Sequence, residues 1–79
     1  MPLHKDIRKY LERKKLKRKF EKQEKLFEKN PFHPSLKTEL LEPKKRRIWS
    51  FRIDRKYRAF FIFLNRDAVE ITDVNNHYK

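Results

Sequence analysis

The sequence predicts an α+β domain, with an N-terminal helical hairpin or kinked helix packed on a small antiparallel sheet of three to four strands. Three stretches carry this expectation. Residues 3–30 contain neither proline nor glycine and are dominated by good helix formers. Residues 49–53 alternate, with Trp49, Phe51 and Ile53 apolar and Ser50 and Arg52 polar between them, which is the two-residue period of a half-buried strand. Residues 57–64, Tyr-Arg-Ala-Phe-Phe-Ile-Phe-Leu, are aromatic or aliphatic at nearly every position, as in a central strand covered on both faces.

Taken in order, Ile7, Tyr10 and Leu11 form one apolar stripe at helical spacing, and Leu16, Phe20 and Phe27 form another with Gln23 in phase. The step of five from Leu11 to Leu16 breaks the stripe. This predicts two helices, about 3–12 and 15–29, with one long helix as the alternative. Asn30-Pro31 ends the helical region, because a residue before proline is pushed out of the α conformation. Residues 36–41 read as a short edge strand ended by Pro43, and residues 68–74 as a third alternating strand, with Val69 and Ile71 on one side and Glu70 and Thr72 on the other.

The corner Asp54-Arg55-Lys56 decides which side chains meet. A three-residue loop sets Ile53 opposite Tyr57. Trp49, Phe51, Ile53, Ala59, Phe61 and Phe63 then share one face, and Ser50, Arg52 and Arg58 the other. A two-residue loop would put the two arginines on opposite faces. Gathering the apolar set on one side favours the longer loop. The helices are then expected to cover an oily back, leaving two guanidinium groups on the front.

The 79 residues, 1–79, make a single domain with a small core. With no cysteine, the chain has neither disulfides nor thiolate metal sites, and its three scattered histidines form no metal-site signature. No cofactor, metal or small-molecule ligand is expected. No apolar run is long enough to span a membrane and no signal peptide is visible, so the expected location is the cytoplasm. The 23 Lys and Arg against 11 Asp and Glu leave a net charge of +12, a balance that attracts polyanions, nucleic acid first among them. Lys44, Lys45, Arg46 and Arg47, with Lys37 nearby, are candidate phosphate contacts; the alternative for such a run is a solvated loop.

The succession Asn30-Pro-Phe-His-Pro-Ser-Leu36, Trp49-Ser-Phe-Arg-Ile53, Tyr57-Arg-Ala-Phe-Phe61 and a closing His77-Tyr78 resembles the RelE/ParE superfamily, the small toxins of type II toxin–antitoxin systems. The resemblance runs in order over about residues 15–79, and the His-Tyr ending looks most like the YoeB branch of ribosome-dependent mRNA interferases. It implies a helical hairpin on a twisted antiparallel sheet, a cognate antitoxin as partner, and metal-free cleavage of mRNA on the ribosome by attack of a ribose 2′-hydroxyl on the adjacent phosphate. Arg58 matches the arginine that steadies the phosphate, His77 and Tyr78 the pair that handles protons, and Arg52 a basic position on the preceding strand. Where the YoeB branch carries a glutamate before its Pro-Leu segment, this chain reads His33-Pro34-Ser35-Leu36, with Glu39 nearby.

Such chemistry needs a base for the 2′-hydroxyl, cationic donors for the pentavalent phosphate and an acid for the leaving oxygen. His77 suits acid–base work near neutral pH. Arg58 and Arg52 offer forked donors, Tyr78 a ring or hydroxyl near the phosphate, and Glu39 or His33 a base. The ordinary alternatives are a solvated histidine, a tyrosine packed on the sheet, and arginines paired with Glu70 or Asp73. Two other functions fit the same residues: a ParE-like inhibitor of DNA gyrase, and a non-catalytic basic RNA-binding module or inactive toxin.

Overall fold

A computed structural model describes residues 3–76. Two helices, α1 (Lys5–Arg13) and α2 (Lys17–Lys29), precede four strands, β1 (Glu39–Leu40), β2 (Trp49–Arg52), β3 (Arg58–Asn65) and β4 (Ala68–Asn75). The strands form one antiparallel sheet in the order β1-β2-β3-β4. Short 3-10 turns at Pro34–Leu36 and Lys44–Arg46 flank β1. The edge strand expected over 36–41 is only two residues long, and Leu36 belongs to the turn before it.

The helical region is two helices, not one. Lys14, Lys15 and Leu16 reverse the chain through a Schellman motif: the Leu16 amide donates to the Leu11 carbonyl at 2.8 Å and the Lys15 amide to the Glu12 carbonyl at 3.1 Å. The motif needs a left-handed residue, and Lys15 occupies it at φ 58° in a chain without glycine. Leu16 turns inward beside Leu11, both 2% exposed, and supplies the apolar contact that accompanies such a cap.

The core is one layer between helices and sheet. It comprises Ile7, Leu11, Leu16, Phe20, Phe27, Leu36, Phe51, Ile53, Ala59, Phe61, Ile71 and Val74. Phe27 sits at its centre, with ring centroids 5.1 Å from Phe51 and 5.0 Å from Phe61. Gln23, the polar residue in the α2 stripe, is buried and donates through Nε2 to the carbonyls of Arg52 (2.8 Å) and Ser35 (3.3 Å). It ties the end of β2 to the turn before β1.

The β2–β3 corner is a three-residue loop. The Ile53 amide donates to the Tyr57 carbonyl at 2.9 Å, and the ladder behind it pairs Arg52 with Arg58, Phe51 with Ala59, Ser50 with Phe60 and Trp49 with Phe61. Asp54 replaces the usual turn glycine, its Oδ1 accepting from the amides of Lys56 and Tyr57, both at 2.8 Å. In β4, the register shifts by one residue between the pairs Phe60–Asp73 and Phe61–Ile71. This bulge at Thr72 returns Val74 to the core face beside Val69 and Ile71.

One expectation is corrected. β3 is interior in the sheet, but only one of its faces is covered: Phe60 and Ile62 stay half-buried, and Leu64 is exposed. All the core contacts lie on the helix side, so the apolar run of β3 exceeds what the helices can bury. Phe63, although on the core side, is also partly exposed near the end of the strand.

Candidate functional site

Strand pairing arranges the front of the sheet in two rows. One row reads Glu39, Ser50, Phe60 and Asp73, and the next reads Arg52, Arg58 and Asn75. The two arginines are thus direct neighbours on the face away from the helices, as the three-residue corner requires.

Arg58 is more buried than a front-face arginine is expected to be, at 8% exposed. Its side chain lies across β2 towards β1. Nε donates to Ser50 Oγ at 2.9 Å, and Nη2 donates to the Lys37 carbonyl at 2.6 Å and the Ser50 carbonyl at 3.3 Å. Ser50 is fully buried beneath it. Burial pulls the guanidinium down from the usual arginine range; the Glu39 carboxylate offsets part of that, and Arg52 adds to the lowering. The group nonetheless remains a cation, as arginine does in proteins.

Lys37 presents its carbonyl to Arg58 because its backbone is left-handed, at φ 49°, closing the Pro34–Leu36 turn. Arg47 closes the Lys44–Arg46 turn in the same way, at φ 56°. The Lys44–Arg47 run precedes β2 at the end opposite Arg52, roughly 15 Å away along the strand. The structure therefore gathers Arg52, Arg58, Glu39 and Lys37 around Ser50 and sets the four-cation run apart from them.

His77 and Tyr78 lie outside the described residues. Asn75, two positions before His77, stands opposite Arg58 in the ladder. The other two histidines have partners elsewhere: His33 Nδ1 accepts from the Ser35 amide at 3.1 Å, capping the 3-10 turn, and His4 Nε2 lies 2.8 Å from Glu70 Oε2 on β4. Among the described residues, no cluster of His, Asp or Glu could hold a metal ion, and no helix is long and apolar enough to cross a membrane.

Two polar residues that support the site, one beneath Arg58 and one behind the sheet, are not identified by sequence reasoning. Side-chain alternation puts Ser50 on the front face without marking it as the acceptor that holds Arg58; the signal is a small hydroxyl in an otherwise bulky strand. Gln23 fills the helical phase, and a polar side chain in a buried stripe is the clue that it binds backbone. No protein-family model matches the chain, and no curated protein matches it significantly.

Proposed function

We propose that this protein is the toxin of a type II toxin–antitoxin pair, a ribosome-dependent endoribonuclease that cleaves mRNA without a metal. The observation that carries the reading is the guanidinium of Arg58, tethered to Ser50 and the Lys37 carbonyl on the sheet face away from the helices, beside Arg52. Its bonds to Ser50 and the Lys37 carbonyl fix the orientation of the guanidinium, so a phosphate on this face would meet a cation already set in place. Glu39 stands in the neighbouring row as a candidate base, and the chain runs on from Asn75, opposite Arg58, towards His77 and Tyr78. The net charge of +12 favours docking on ribosomal RNA, and a cognate antitoxin would hold the activity in check.

Induced expression should arrest growth, with primer extension showing cuts within translated messages. Arg58→Ala should abolish the cuts. Arg58→Lys, which keeps the charge but not the fork, should restore little. A wild-type chain that arrests replication without cutting mRNA would favour gyrase inhibition. A harmless one would leave the non-catalytic RNA-binding reading.

A further inference from the structure

Residues 13–19 read Arg-Lys-Lys-Leu-Lys-Arg-Lys. The turn between α1 and α2 folds this run so that Leu16 enters the core while all six cations remain exposed. The β2–β3 corner packs alongside. Lys14, Leu16, Lys19, Asp54, Arg55 and Lys56 line a shared open concavity with Tyr57, and Lys19 Nζ reaches Asp54 Oδ2 at 3.1 Å. Arg55 and Lys56 are exposed too, so two loops distant in sequence present their cations at one end of the molecule.

Helix stability does not account for this charge. Cations at the end of α1 suit its dipole, but Lys17, Arg18 and Lys19 occupy the first turn of α2, which holds no acid. There the dipole is positive and cations are unfavourable. A local cost of this kind, left without a compensating acid on an exposed turn, marks a function more often than an accident.

We infer that the α1–α2 turn and the β2–β3 corner form a docking surface for the phosphate backbone of an RNA duplex, separate from the Arg58 site. The choice of RNA rests on the toxin reading. The choice of a duplex rests on the rings. Tyr10 and Tyr57 are half-buried and packed edge to face at 6.3 Å, and Tyr10 is covered by Arg13 and Lys14 at 5.6 and 5.8 Å from its centroid. They offer no platform for unstacked bases, the usual device for single strands. Backbone contact of this kind positions a polymer without reading its sequence. Lys56 is two residues from Arg58, so a duplex seated here lies next to the front face of the sheet.

The test is fluorescence anisotropy with a short, fully paired RNA duplex across a salt series. Lys14→Gln/Lys17→Gln/Arg18→Gln is compared with the charge-matched Lys22→Gln/Lys25→Gln/Lys29→Gln on the rest of α2. The first triple should weaken binding about tenfold or more and lower the slope of log affinity against log salt by about two to three, with the second triple close to wild type. Equal weakening in both would reduce the effect to net charge and overturn the proposal. So would wild-type binding in the first triple. Circular dichroism checks the fold, and Lys17→Gln/Arg18→Gln serves if the triple is unfolded. Arg58→Ala should bind the duplex normally while failing to cut. The binding comparison therefore stands even if the wild type cleaves nothing.

Discussion

Arg52 and Arg58 stand directly opposite each other in the β2–β3 ladder, with both side chains on the face away from the helices. A sheet ordinarily places an attractive or apolar pair there, and like charges in register are destabilising. Arg58 is drawn aside by Ser50 and the Lys37 carbonyl, which moderates the repulsion without removing it.

Replacing Arg52 should consequently gain stability at the expense of activity. Arg52→Thr is expected to raise stability by about 0.2–1 kcal/mol, read as a higher urea midpoint, while lowering RNA cleavage in the same preparation. A variant that is both less stable and fully active would contradict the front-face assignment.

Ser50→Ala removes the hydroxyl that accepts from Arg58 Nε in a fully buried position. Leaving that donor unmet should cost about 1–3 kcal/mol. It should also slow the proposed cleavage, because the guanidinium loses the bond that sets its orientation. Denaturant unfolding and single-turnover cleavage report the two effects separately.

Lys15 is a left-handed residue with a β-carbon. Lys15→Gly should leave stability unchanged or raise it by up to about 1 kcal/mol, the strain relief being offset by the freer unfolded chain. Lys15→Val should lower it by about 1–2 kcal/mol. Thermal unfolding of the pair checks both signs.

Asp54 carries a pH signature. Burial raises its carboxyl, but the amides of Tyr57 and Lys56 and the ammonium of Lys19 outweigh that and hold it below the usual carboxylate range. A folded-state value below the unfolded one adds stability above the unfolded value, and that contribution is lost as pH falls through the folded one. Wild-type stability should therefore fall below about pH 4. Asp54→Asn, which still offers an oxygen to the two amides, should show a shallower acid decline. Urea midpoints between neutral pH and the acid limb test it.

Much of this fold is legible in the residues alone because side-chain period follows backbone geometry. The alternation at 49–53, the five-residue step from Leu11 to Leu16 and the proline at 31 locate β2, the α1–α2 turn and the end of α2. The placement of Arg52 and Arg58 on one face follows from the length of a single corner. The far half of β4 is less legible: Val74 falls out of phase with Val69 and Ile71, and only the bulge at Thr72 restores it.

By itself, then, the sequence determined the helix and strand segments, the charge and the shared face of the two arginines, all of which depend on near neighbours. Tertiary structure alone decided that Arg58 lies buried over Ser50 against the Lys37 carbonyl, that Gln23 ties β2 to the turn before β1, and that the cations of two distant loops meet at one end. Most of those contacts join residues far apart in the chain, 21 positions for Arg58 and Lys37 and 35 for Lys19 and Asp54. Nothing in a local period encodes which remote group a long polar side chain will reach.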